Sequence, residues 1–93
     1  VAIVSFRCKE TQALYEGVRV KRWVNVGRVA ARKLAQLDWS NVLDDLKVPP
    51  GNQLEALKGD RKGQHSIRIN DQWRVCFVWT DQGAAQIEIV DYH

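Results

Sequence analysis

Trp73-Arg74-Val75-Cys76-Phe77-Val78-Trp79-Thr80 is the stretch that decides the fold. Alternation places Trp73, Val75, Phe77 and Trp79 on one face and Arg74, Cys76 and Val78 on the other. β-Branched and aromatic side chains at a period of two describe a half-buried strand. Asn70-Asp71-Gln72 precedes it and Asp81-Gln82-Gly83-Ala84 follows it, both of them hairpin-type connections. The flanking runs repeat the period. His65–Asn70 sets Ile67 and Ile69 against Ser66 and Arg68, and Ala85–Val90 sets Ile87 and Ile89 against Gln86 and Glu88. Three antiparallel strands are therefore expected, with the aromatic face turned inward. Arg68 and Arg74 then share the opposite, open face on neighbouring strands.

Upstream the period changes. Pro49-Pro50-Gly51-Asn52 is the strongest break, and it separates a helical half from the strand half. Val26, Val29, Ala30, Lys33, Leu34 and Leu37 recur at helical spacing and predict a helix over 26–37. Arg28, Arg32 and Gln36 lie on its outer face, with Lys33 at the boundary as a snorkelling side chain. A first helix is expected from Lys9 to Glu16, stopped by Gly17, and Arg19–Trp23 reads as a basic connector. Val1–Phe6 reads as a short apolar strand, Asn41–Leu46 as an added helical turn, and Leu54 to Leu57 as a turn. The predicted order is β-α-α-β-β-β, an α+β fold with two helices packed on one face of a mainly antiparallel sheet.

The 93 residues are read as one domain spanning 1–93, large enough for a two-layer core. A hydrophobic content of 45% with four tryptophans is that of a globular chain and argues against disorder. Cys8 and Cys76 belong to no C-x-x-C pair and are read as buried free thiols in a reducing compartment. No apolar run approaches the ~20 residues of a membrane span. With no charged-then-apolar leader at the start, a cytoplasmic location without a membrane partner is expected. The formal charge of +3 is modest, but its distribution is informative. Basic residues gather at Arg19–Arg22, at Arg28, Arg32 and Lys33, and at Lys58, Arg61 and Lys62 followed by Arg68 and Arg74. The pattern fits attraction to a polyanion, which makes Arg61, Lys62 and Arg68 candidate RNA contacts.

Two elements carry candidate chemistry. The chain closes on Asp91-Tyr92-His93, an acid, a phenol and an imidazole side by side. Imidazole titrates nearest neutral pH, so His93 is suited to give or take a proton. Lys58-Gly59-Asp60-Arg61-Lys62-Gly63 reads either as a solvated turn or as a loop whose glycines let the backbone approach a phosphate. It lacks the Walker pattern, and no G-x-S-x-G elbow is present. His65 reads as an ordinary strand histidine, and the tryptophans as core before stacking platforms. No H-x-x-x-H, H-E-x-x-H or C-x-x-C spacing offers a metal site, so no metal or other cofactor is expected. A nuclease built from these groups would use the 2′-hydroxyl of RNA as nucleophile, which DNA lacks.

Leu54-Glu55-Ala56-Leu57-Lys58-Gly59-Asp60-Arg61-Lys62-Gly63, Ser66-Ile67-Arg68-Ile69-Asn70, Trp73-Arg74-Val75 and Asp91-Tyr92-His93 together resemble the HigB branch of the RelE/ParE toxin superfamily. The resemblance implies a RelE-like, microbial-ribonuclease-type fold. It also implies the toxin of a type II toxin–antitoxin pair, acting as a ribosome-dependent endoribonuclease that cuts mRNA in the decoding site of the 70S ribosome. The implied partner is a HigA-like helix-turn-helix antitoxin, through which the pair would sit on operator DNA. By the same resemblance Lys58 and Arg74 contact the scissile phosphate. Asp91 and His93 serve acid–base work and substrate orientation, with Tyr92 between them. One position departs from the pattern: some relatives carry a histidine where this chain has Glu55. A ParE-like gyrase poison and a non-catalytic ribosome- or RNA-binding module are the alternatives.

Overall fold

A computed structural model describes residues 3–91. Two helices, α1 (Lys9–Tyr15) and α2 (Gly27–Trp39), precede a sheet of β1 (Glu55–Ala56), β2 (His65–Arg68), β3 (Trp73–Thr80) and β4 (Gly83–Asp91). The strands lie in the order β1-β2-β3-β4, each antiparallel to its neighbour. Short 3₁₀ turns at Lys21–Trp23, Leu43–Lys47, Pro50–Asn52 and Gly59–Arg61 fill the connections. The expected α+β arrangement is present, with one addition. Glu55–Ala56, expected as part of a turn, forms an edge strand on β2.

Local chemistry explains the element ends. Gly17 (φ 94°) takes the left-handed conformation that closes α1. The Val18 amide donates to the Ala13 carbonyl and the Gly17 amide to that of Leu14, the paired bonds of a Schellman stop. At the end of α2 the Ser40 hydroxyl donates 2.6 Å to the Gln36 carbonyl. Of the expected N-terminal strand, Val1 and Ala2 lie outside the described residues, and the rest forms less than a strand. Val4 and Arg7 amides donate to the Ala84 and Ile87 carbonyls, and Phe6 forms a single parallel bridge to Ile87. The reason lies in β4. Cys76 pairs with Glu88 and Val78 with Ala85, so Phe77 alone opposes Gln86 and Ile87, with Gln86 at φ 51°. Such a bulge bends the strand and interrupts any ladder laid along it.

The helices cover the aromatic face of the sheet. Trp23, Ala30, Leu34, Leu37 and Leu46 meet Ile67, Val75, Phe77 and Ile87 in a core where each is at most 1% exposed. Each fully buried large side chain contributes about 1.5–3 kcal/mol. The basic connector is held into this core. Trp23 meets Trp73 edge-on at 6.1 Å, and the Arg22 guanidinium lies 5.2 Å and 5.6 Å from their ring centres. Glu10 on α1 pairs with the same arginine at 3.2 Å, so Arg22 ties α1, the connector and β3 together.

Candidate active site

Strand register brings the two sheet arginines together. Arg68 on β2 stands directly opposite Arg74 on β3, on the face away from the helices. Like charges directly across a ladder repel, so the pair needs compensation. Arg68 ion-pairs with Asp71. Arg74 is compensated differently, and it is not on an open face as expected. Its residue exposure is only 6%. The Nε donates 2.8 Å to Ser66 Oγ, Nη2 donates 2.6 Å to the Gln53 carbonyl, and Glu55 Oε1 lies 3.8 Å from Nε. Gln53 and Glu55, in the segment that runs into β1, roof Arg74 at this point.

That roof is anchored by polar groups that the periodicity did not single out. Gln53 sits at φ 46° in the left-handed region, which costs a non-glycine residue about 1 kcal/mol or more. Asn52 before it is fully buried. Its amide donates to Gln36 Oε1 (2.9 Å) and to the Leu46 carbonyl (3.1 Å), while its Oδ1 accepts from Lys33 Nζ at 2.5 Å. Gln36 Nε2 donates in turn to the Val48 carbonyl. Side chains of α2 thus fix the turn whose carbonyl holds Arg74. Gln53, Arg68, Asn70, Asp71 and Arg74 line a cleft of about 350 Å³.

The other predicted site residues are distributed around this cleft. Lys58 and Lys62 are exposed on the loop after β1. Arg61 is turned toward the protein: it donates 2.8 Å to Glu88 and 3.1 Å to Gln64 Oε1, and the Glu88 bond pushes its pKa further up. Asp91 pairs in register with Trp73 and accepts from Gln72 Nε2 at 3.1 Å. The Lys58 loop reaches β4 through the Arg61–Glu88 pair, although it starts far from Asp91. Ala56 pairs with His65, so the loop leaves from the opposite edge and opposite end of the sheet. Three strand spacings separate the edges, on the order of 14 Å. Tyr92 and His93 lie outside the described residues. His65 packs on Phe77 (6.3 Å) on the core side, away from Arg74. Glu55, the position that departs from the family pattern, stands beside Arg74.

Cys76 forms part of the floor, fully buried in the row between Ser66 and Glu88. Burial pushes its thiol pKa above the usual 9.0, which Arg61 partly opposes and Glu88 reinforces. Cys8 is half-buried, and both thiols are free. A thiol-exchange titration of native protein should therefore modify Cys8 first, with Cys76 reacting only in denaturant. The raised folded value also has a sign in stability. Above pH 9 the unfolded chain ionises this thiol while the folded chain does not, so stability falls as pH rises through that window. Equal rates for the two native thiols would contradict the buried position. Among the described residues no group of three or more His, Cys, Asp or Glu is placed to hold a metal ion. No helix among them is long and apolar enough to cross a membrane.

The scaffold is one found in bacterial toxins. A solved structure of the YoeB/ParE toxin from Agrobacterium tumefaciens superposes with a TM-score of 0.53 at 21% identity, covering 100% of this chain and 99% of that one. Residues 4–93 match the HigB-like toxin family, described as the RelE-like toxin HigB of type II toxin–antitoxin systems. The chain is 37% identical over 92 residues to Toxin HigB-1 of Vibrio cholerae serotype O1, covering 97% of this chain and 96% of that protein. It is also 40% identical over 53 residues to an uncharacterised Haemophilus influenzae protein, covering 57% of this chain and 52% of that one. The chain belongs to the HigB-like family of type II toxins. Membership implies an antitoxin partner.

Proposed function

We propose that this toxin is a ribosome-dependent mRNA endoribonuclease that cleaves in the decoding site of the 70S ribosome. One observation carries the reading: Arg68 and Arg74 face each other across a ladder at the cleft, an arrangement that a bound phosphate would stabilise. Arg74 is held by Ser66 and the Gln53 carbonyl, so its guanidinium is oriented before substrate arrives.

The 2′-oxygen of the substrate attacks the adjacent phosphorus, and the bond to the 5′-oxygen breaks, leaving a 2′,3′-cyclic phosphate. Arg74 and the exposed Lys58 stabilise the charge that builds on the pentacoordinate phosphorus. His93 or Asp91 assists removal of the 2′-proton, and a protonated partner delivers a proton to the leaving oxygen, with Tyr92 placed between them in sequence. Glu55, 3.8 Å from Arg74, is a further proton acceptor at the position where some relatives carry a histidine. Lys62, Arg61 and Arg68 supply flanking positive charge for RNA. Phosphate contacts position a substrate without reading its sequence, so the ribosome supplies the selection of cut sites. A HigA-like helix-turn-helix antitoxin neutralises the toxin and carries the pair to operator DNA, within a cytoplasmic single-domain protein.

Primer extension on a defined mRNA tests the reading. Wild type is expected to cut within decoding-site codons only when ribosomes are present, and a Lys58→Ala/Arg74→Ala double variant to leave the message intact. Intact mRNA with wild type, in cells that it nonetheless poisons, would transfer the activity to gyrase or to simple ribosome binding.

A further inference from the structure

The cationic residues do not stop at the cleft. Lys33 of α2 reaches the cleft wall, since its ammonium donates to Oδ1 of Asn52, next to Gln53; burial first, and then the charges of Arg32 and Arg68, lower its pKa. Among the described residues no carboxylate lies within 4.0 Å of Arg28, Arg32 or Lys33. Arg32 and Lys33 then enter a second cavity of about 520 Å³, completed by Gln36, Trp39, Val48 and Pro49. Trp39 is 66% exposed and Val48 67%, although the other helix-proximal tryptophan, Trp23, is 1% exposed. Arg28, Arg32, Ala35 and Trp39 recur at four, three and four residues along α2, so they form one solvent-facing stripe.

We infer that Arg68, Lys33, Arg32 and Trp39 form a second RNA subsite, a track that leads a single-stranded segment out of the cleft and stacks one base on the Trp39 indole. The inference rests on the RNA reading of the cleft and extends it to residues outside the catalytic set. Two features select single-stranded RNA. Cations spaced along a groove follow a phosphate backbone, and an exposed aromatic ring beside them offers a stacking platform to any base. A duplex keeps its bases stacked on each other and gives an indole nothing to accept. An apolar protein segment would be drawn to Trp39 and Val48, but it would offer no counter-charge to Arg32 and Lys33 in the same cavity.

Indole fluorescence with a 2′-O-methyl hexaribonucleotide, which lacks the free 2′-hydroxyl and is not cut, tests the track. Wild type should be quenched on titration. Trp39→Phe should lose that quench and bind about tenfold more weakly, within the range a stacked base supplies. Arg32→Gln should weaken binding and reduce the slope of log affinity against log salt by about one. Far-UV circular dichroism and thermal unfolding of both variants check that the exposed positions leave the fold unchanged. Undiminished quench and affinity in Trp39→Phe, or no quench in wild type, overturns the track and leaves the patch to a protein partner. The two readings separate cleanly. Ribosome-dependent cleavage with a silent Trp39 removes the track but keeps the nuclease, whereas Trp39-dependent quenching by a toxin that never cuts mRNA does the reverse.

Discussion

Arg74→Ala is expected to lower single-turnover cleavage on programmed ribosomes by about 10²–10³-fold, the usual loss when a preorganised charge-stabilising donor is removed. It should also cost stability, which separates Arg74 from an ordinary surface cation. The side chain is 6% exposed at the residue level and holds Ser66 Oγ and the Gln53 carbonyl. Truncation leaves these groups short of a donor beneath the roof, for a loss of about 1–3 kcal/mol in urea unfolding. Glu55 is half in water and adds little to that figure. Arg74→Lys is the informative companion. Lysine keeps the charge but lacks the planar fork that spans Ser66 and Gln53, so it should recover part of the stability and less of the rate. An Arg74→Ala protein that is folded at the assay temperature and cuts within a few-fold of wild type would remove Arg74 from the phosphate contact.

His93→Ala should have an equal or larger effect on rate. A positioned acid–base group typically contributes about 10²–10⁴-fold. The residue lies outside the described residues. Its deletion should also abolish one limb of the pH–rate profile in the imidazole range, a signature that loss of packing would not produce. If the limb survives in His93→Ala and disappears in Glu55→Gln, the base is the carboxylate beside Arg74. A rate within a few-fold of wild type, with the pH profile unchanged, would exclude His93 from the proton chemistry.

The family connection makes these residues worth testing, and Lys33, Gln36 and Asn52 fix the turn whose carbonyl holds Arg74. Asn52 is fully buried and joins α2 to the turn that carries Gln53. In the sequence it is merely the last residue of a Pro-Pro-Gly-Asn break, with no period to mark it as buried. A side chain recruited by tertiary contacts leaves no periodic trace. The same limit hid β1. Two residues, Glu55 and Ala56, are too few to show alternation, and their strand character comes from pairing with Ser66 and His65. The bulge at Gln86 was equally silent, since only its positive φ distinguishes it.

The alternation of Trp73–Thr80 and the helical spacing of 26–37 by themselves determined the α+β class, the apolar face of the sheet and the placing of Arg68 and Arg74 on one face of neighbouring strands. Those conclusions follow from local periodicity, because side-chain direction repeats every two residues in a strand and every 3.6 in a helix. Tertiary structure alone decided that Arg74 is roofed over, that Glu55 stands beside it, that Lys58 leaves from the far edge of the sheet, and that Trp39 remains in water while Trp23 is buried. Each of these depends on contacts between residues distant in the chain. Burial and hydrogen bonding select such contacts only when the elements pack, so no local pattern of residues encodes them.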